Sequence, residues 1–408
     1  VTAVADLEAQ LRDLRRDAVD LVSEAELRER LKEGRPLRVK LGIDPTSRDI
    51  HIGHTMVLRK LRQFQDHGHQ AVLIIGDYTA MVGDPTGRNK TRPQLGREDV
   101  EAYAASWLDQ VRPILDVERA EIRRNGEWFS KMAFLEVIRL ASKMTVARLL
   151  ERDDFLKRYR AGEPISVHEF LYPLMQGYDS VMVRADVELG GTDQLFNLMV
   201  GRDFLREAGM KPQVCLTTPL VEGLDGVQKM SKSLGNHIAV ADPPDEVFGK
   251  TMSISDPLMA RYYRYFTDVP EAELPAFLAR FANPRDAKVH LARELVRWLH
   301  GEAAAAAAAG RFEQLFSRRE LPEDLAEVTI AAAELRDGKV WPVRLVVLCG
   351  FASTNGEARR LIREGAVTLD GDRIADETDR AVPDGAVLRV GKRRIARLRH
   401  EGKPGLQS

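Results

Sequence analysis

The chain has 408 residues, 44% apolar and 30% charged, with a net charge of −1 and only two cysteines, Cys215 and Cys349. That length exceeds what one hydrophobic core usually holds, so two or three domains are expected. No apolar run reaches the roughly 18 residues of a membrane helix. The first twenty residues are charged rather than signal-like. Two distant cysteines exclude a disulfide framework or a cysteine-rich zinc site, so a cytoplasmic protein with no membrane partner is expected.

Residues 5–33 read as one or two amphipathic helices ending at Gly34-Arg35-Pro36. LRVKLGIDPT is a short apolar strand that breaks at Asp44-Pro45, and Val57, Leu58, Leu61 and Phe64 then recur at helical spacing. QAVLIIG is a β-branched, buried strand, and REDVEAYAASWLDQV is a helix. Ser166 and Glu169 make a capping box that opens another helix through LYPLMQGYDSVMV. ADVELGGTDQLFNLMVGRDFLREAG is strand, glycine turn and helix, and PQVCLTTPLV is a further strand. This alternation predicts an α/β parallel sheet covered by helices on both faces. Ligands bind beyond the carboxyl ends of such strands, where GIDPTSRDIHIGH and ELGGTDQ fall.

After about residue 240 helices dominate. AKVHLARELVRWLHGEAAAAAAAGRFEQLF reads as one long helix, its seven alanines being strong helix formers. The expected division is 1–240 for the sheet domain, 241–330 for an α-helical domain, 331–341 for a linker and 342–408 for a small α+β module. From Trp341 onward there are 13 Lys and Arg against 9 Asp and Glu, so a basic module follows an acidic body. That asymmetry points to a nucleic-acid contact, with a solvated strand and frayed terminus as the plainer reading.

His51 and His54 stand three apart where a loop turns into a helix. A helix start presents unpaired N–H groups and favours anions, and two imidazoles can donate to phosphate oxygens. Gly53 between them leaves room for a flat base. No further ligand has metal-binding spacing to both. Taken alone, HIGHT could also be two surface histidines. Lys229 to Ser233, KMSKS, follows a glycine-rich stretch and offers two point charges for phosphates, or else is a solvated loop. There is no Walker A pattern and no G-x-G-x-x-G after a strand. Tyr172, Gln176 and Asp179 form a narrow polar stripe on an otherwise apolar helix. Such a stripe is either an internal network or a pocket wall whose ligand supplies the partners.

HIGH early and KMSKS late, each at the edge of a parallel sheet, resembles the class I aminoacyl-tRNA synthetases. With GDPTGR, GGTDQ and the polar stripe, the chain resembles the bacterial tyrosyl-tRNA synthetases over essentially its full length. The resemblance implies a Rossmann-like catalytic domain, an α-helical anticodon-binding domain and a small C-terminal RNA-binding domain. It implies ligation of tyrosine to tRNA(Tyr) through tyrosyl-adenylate, with ATP and Mg as substrate complex, no tightly bound cofactor, and a homodimer. On this view His51, His54, Lys229, Lys232 and Ser233, with Arg88 and Arg92 of a neighbouring loop, act on the phosphates. Asp179 takes the phenolic hydroxyl, Tyr172, Gln176 and Asp84 take the α-ammonium, and Gln194 and Gly42 line the rest of the tyrosine site. Asp44, Thr46, Gly53 and Asp193 serve the nucleotide. One departure stands out: Lys40 occupies a position where many relatives carry a tyrosine that helps read the hydroxyl. A tryptophan–tRNA ligase, or a non-catalytic RNA-binding protein with a synthetase-like body, remains as an alternative.

Overall fold

The computed structural model describes residues 2–84, 95–314, 325–335, 339–391 and 394–401. They fall into two compact units. One comprises Val1–Pro243 and Lys250–Glu302, the other Pro244–Gly249 and Ala303–Ser408.

The first unit is built on a six-stranded sheet. Its strands are β1 (Leu21–Val22), β2 (Arg38–Ile43), β3 (Gln70–Ile75), β4 (Glu121–Arg124), β5 (Val187–Gly191) and β6 (Val214–Thr218), in the spatial order β1-β6-β5-β2-β3-β4. β2 to β6 run parallel, and β1 closes one edge antiparallel. β3 shows why the sheet is covered on both faces. Ala71, Leu73 and Ile75 join one core with Leu58, Phe64 and Trp107, while Val72 and Ile74 join a second core with Trp128, Met175 and Phe204. A period of two sends alternate side chains to opposite faces, so a continuous apolar run needs helices on each. From β2 the chain builds outward to β3 and β4, then returns to the other side of β2 as β5. The reversal between β2 and β5 leaves a crevice at their carboxyl ends.

Two glycines bring the helices Leu171–Met182 and Leu195–Glu207 together beside that crevice. A Cβ on Gly177 would lie 2.9 Å from Val200 Cγ1, and one on Gly201 would lie 2.5 Å from Gln213 Nε2. Larger residues would force the polar stripe away from the sheet.

The helices Asp256–Phe266 and Pro284–His300, read from sequence as part of a separate helical domain, belong to this same compact unit. Arg59, from the helix Ile52–Asp66, donates to the Phe266 carbonyl at 3.1 Å and to Asp268 at 3.0 Å. The long alanine-rich helix expected from the sequence is in fact two, Pro284–His300 and Glu302–Glu313. Gly301 separates them at φ +88°, a conformation that ends a helix and that side-chain-bearing residues resist.

The second unit holds a five-stranded sheet in the order β10-β9-β12-β13-β7 and a two-stranded sheet of β11 with β8. These are β7 (Glu327–Ile330), β8 (Lys339–Val340), β9 (Val367–Leu369), β10 (Asp372–Arg373), β11 (Arg380–Ala381), β12 (Val387–Val390) and β13 (Arg394–His400). β7 and β8 correct the sequence reading, which ended the helical domain at 330 and placed a linker at 331–341. Ile330 and Val340 are buried in the core that holds Val346, Leu361 and Leu398, so this stretch is part of the module. The turn between β9 and β10 is as its sequence demands: Asp370 and Gly371 both have positive φ, the geometry of a two-residue hairpin. Among the described residues no helix is long and apolar enough to cross a membrane.

Candidate active site

The loop after β2 delivers the histidine pair. His51 is the N-cap of the helix Ile52–Asp66, and its backbone N–H donates to His54 Nδ1 at 3.2 Å. That bond makes Nδ1 the acceptor, so the proton of the neutral His54 ring resides on Nε2. The two ring centroids are 3.8 Å apart. Burial, helped by the positive Lys229, lowers the His54 pKa to about 4, and burial with the neighbouring His54 lowers that of His51 further. Both rings are neutral at pH 7.

The KMSKS segment lies over this helix start. The Ile52 amide donates to the Ile238 carbonyl at 2.9 Å, and His51 forms a β-bridge with Ala239. Met230 is buried, and a Cβ on Gly53 would lie 3.6 Å from Met230 Cβ and 2.9 Å from His51 Nδ1. A side chain at position 53 would thus meet the His51 imidazole, so packing requires glycine there. Lys229 Nζ bonds Asp193 Oδ2 at 2.6 Å, and Lys232 Nζ bonds Asp49 Oδ2 at 2.9 Å. Both lysines are therefore held by carboxylates, one from each of the two loops that flank the crevice.

The polar stripe finds internal partners. Tyr172 donates its hydroxyl to Asp44 Oδ2 at 2.9 Å, and Thr79 donates to Asp44 Oδ1 at 2.7 Å. Gln176 Oε1 accepts from Asn197 Nδ2 at 2.8 Å. Asp179 accepts from Trp128 Nε1 at 2.9 Å and Asn125 Nδ2 at 3.3 Å. Burial pushes both Asp44 and Asp179 up to about 7, and the negative charge of Asp84 and Asp179 adds to the rise at Asp44. Asp84 lies 3.7 Å from the buried guanidinium of Arg152. The carboxylates of Asp44, Asp84 and Asp179, gathered here, form a place where a bound ammonium would be favoured.

Thr46 follows in the same loop, its amide on the Asp44 carbonyl at 2.8 Å. Gln194 Oε1 accepts from the Gly191 amide at 3.1 Å, tying down the turn after β5. A Cβ on Gly42 would meet nothing within 4 Å, so the space over the end of β2 is open. Arg88, Arg92 and the side chain of Ser233 lie outside the described residues. Sequence reasoning missed Asn125, Trp128, Asp49, His237 and Glu188. His237 stands with its ring 6.3 Å from that of His51, and the others are the direct partners of Asp179, Lys232 and Lys40. Asp49, two residues before the first histidine, was the one within reach of local reading.

These lowered imidazole pKa values have a signed consequence. Between about pH 4 and the ordinary value of 6.5 the unfolded chain binds more protons at His54 than the folded one. The contribution to stability is complete above 6.5 and is lost as pH falls toward 4. A ring titration followed by NMR is expected to place the His54 midpoint near 4; a midpoint near 6.5 would contradict the buried, neutral assignment.

The sequence and the fold match known proteins. The family model for class I tRNA synthetases (W and Y) matches residues 32–317. A tyrosine–tRNA ligase from Symbiobacterium thermophilum is 55% identical, covering 97% of this chain and 98% of its own length. One from Thermotoga maritima is 51% identical, covering 96% and 97%. The solved tyrosyl-tRNA synthetase of Archaeoglobus fulgidus, complexed with L-tyrosine, is 28% identical with a TM-score of 0.63, over 75% of this chain and 100% of that one. A solved mitochondrial tyrosyl-tRNA synthetase of Aspergillus nidulans, C-terminally truncated, shares the fold at a TM-score of 0.62. With about half of its residues identical to such relatives along nearly its whole length, the chain belongs to the tyrosine–tRNA ligase family of the class I tRNA synthetases.

Proposed function

We propose that the chain joins L-tyrosine to tRNA(Tyr) in two steps, with the residues above in the following roles. The tyrosine carboxylate attacks the α-phosphorus of ATP, which enters with its Mg²⁺; tyrosyl-adenylate forms and pyrophosphate leaves. The 3′-terminal hydroxyl of the tRNA then attacks the acyl carbon and AMP leaves. The carboxylate is already a nucleophile, so the work of the protein is positioning and neutralising charge.

The observation that carries this reading is the KMSKS segment seated on the histidine helix start at the β2/β5 reversal. His54 Nε2–H, with His51, donates to the β- and γ-phosphates. Lys229 and Lys232 exchange Asp193 and Asp49 for the same phosphates as charge moves onto pyrophosphate. Thr46 and Gly53 line the nucleotide side, and Asp193, once released, serves the ribose. Ser233, Arg88 and Arg92 add further donors to the phosphates. Across the crevice, Tyr172, Gln176 and Asp84 surround the α-ammonium, Asp44 serves the nucleotide, Gly42 and Gln194 border the carboxylate, and Asp179 accepts the phenolic hydroxyl. A carboxylate at that depth suits a phenol and leaves an indole's carbon edge facing a desolvated charge, which disfavours tryptophan.

Two further parts of the reading concern assembly and RNA. Phe134, Leu135 and Ile138 stand exposed on one helix, with Val146 and Val167 also exposed. An apolar face of this kind supports a homodimer. Arg363 and Arg389 belong to the basic module and would hold tRNA through its phosphates.

ATP–pyrophosphate exchange tests the chemistry. His54→Asn or Lys232→Ala is expected to lower the exchange rate ~10²–10³-fold while changing the KM for tyrosine little. Equal losses in both, or none in either, would refute the assignment. In the same assay Arg363→Glu with Arg389→Glu should leave exchange intact and weaken tRNA charging with a flatter salt dependence. Loss of exchange would show the module to be structural. Ile138→Asp should shift the native mass from two chains to one; an unchanged mass would remove this face from the interface.

A further inference from the structure

Strand β2 carries a lysine, Lys40, in its buried middle. Lys40 and Glu188 are register partners on the neighbouring strands β2 and β5, with side chains 0% and 1% exposed and Nζ 2.8 Å from Oε1. The ammonium spends its other two protons on the Gln176 carbonyl at 2.8 Å and Ser180 Oγ at 2.7 Å. Three donors meet three acceptors, and the group is saturated. The second Glu188 oxygen takes Ser180 Oγ–H at 2.7 Å and Gln213 Nε2 at 2.6 Å.

Gln176 and Ser180 flank Asp179 on the same helix, so the ammonium sits under the turn that presents this carboxylate. A buried ion pair is poor value as a structural fastening, since an apolar pair of similar volume is often as stable. Its charge therefore calls for a use, and Asp179 is the neighbour that needs one. Burial is the strongest influence raising Asp179 to about 7; Lys40 is the next, in the opposite direction, followed by the bonds from Asn125 and Trp128. Glu188 from β5 adds to the rise, and Asp44 from the end of β2 and the Tyr172 hydroxyl on the same helix also interact with Asp179.

We propose that Lys40 is a positioning residue for substrate discrimination: clamped to the Asp179 turn and held by Glu188, it keeps Asp179 in place as an ionised acceptor for the phenolic hydroxyl. It never touches the substrate, and acts from behind the helix. The inference rests on the reading of Asp179 as the hydroxyl acceptor.

The ratio of kcat/KM for tyrosine to that for phenylalanine, measured by pyrophosphate exchange across pH 6 to 9, tests it. The two amino acids share the ammonium and carboxylate, so effects of Asp44 and Asp84 cancel in the ratio and Asp179 remains. An ionised Asp179 faces phenylalanine unpaired and rejects it, whereas a protonated one rejects it less. In the unaltered chain the ratio should rise with pH around the Asp179 midpoint. In Lys40→Met that midpoint should move up by about one pH unit or more. Lys40→Met/Glu188→Gln, which leaves no unpaired buried carboxylate, should show a smaller displacement in the same upward direction, since Glu188 itself raises Asp179, and guards against a single variant that fails to fold. Unchanged midpoints, with kcat/KM lowered equally for both amino acids, would mean a merely structural lysine and would overturn the proposal. Asp179→Asn separates the two readings. If it abolishes the ratio while the Lys40 variants leave the midpoint in place, only the role of Lys40 fails. If it leaves the ratio intact, the hydroxyl reading fails and this inference with it.

Discussion

One backbone contact joins the two halves of the proposed phosphate site: the Ile52 amide on the Ile238 carbonyl at 2.9 Å. A helix start leaves its first N–H groups without partners, and here one of them is claimed by a strand-like segment arriving from nearly two hundred residues away. The bridge from His51 to Ala239 and the contact of Met230 with Gly53 extend the same seam. Because of it, a lysine-bearing turn must lie over an imidazole pair, whatever else the loop does. Glycine at 53 follows from the tightness of that seam, and so does the burial that keeps both rings neutral. A neutral imidazole with its proton fixed on Nε2 offers a directed hydrogen bond without the desolvation cost of a buried cation.

Opposite charges manage the two sides of the crevice. On the proposed phosphate side the lysines rest on Asp193 and Asp49, so positive charge is stored against carboxylates where polyphosphate charge would arrive. Under the proposed mechanism, exchange of one anion for another would keep the lysines paired at each stage, limiting the reorganisation required of the site. On the proposed amino-acid side burial raises Asp44 and Asp179, and the charge of Asp84 and Asp179 adds to the rise at Asp44. That destabilisation is relieved by a cation, and Lys40 supplies a permanent one from behind the Asp179 turn. The relation between the two sides depends on the sheet, since β2 and β5 feed both.

Much of this was legible in the residues, and the reasons are local. Alternation and β-branching marked β3, β5 and β6, and the Ser166–Glu169 box marked the entry to the Asp179 helix, where the Ser166 amide does bond Glu169 Oε1 at 2.8 Å. The stripe of Tyr172, Gln176 and Asp179 followed from helical geometry alone. What escaped depends on pairing at long range. β4 reads EIRR and β1 only LV, and neither is strand-like until a neighbour supplies the hydrogen bonds. β7 and β8 look like a linker because their partners, β13 and β11, come some 40 to 70 residues later. Asn125 and Trp128 lie in a stretch with no periodic signal, and only the fold brings them to Asp179. Gly301 was visible but was outweighed by the alanines around it, whereas one residue of positive φ suffices to stop a helix.

The most direct test of this account is a structure of the full chain with tyrosine and a non-hydrolysable ATP analogue. The account predicts His51 and His54 on one side of the triphosphate and the amines of Lys229 and Lys232 on the other, all within hydrogen-bonding distance, with Asp193 and Asp49 released. A triphosphate bound elsewhere, or lysines still resting on those two carboxylates while the phosphates are held by other groups, would contradict it.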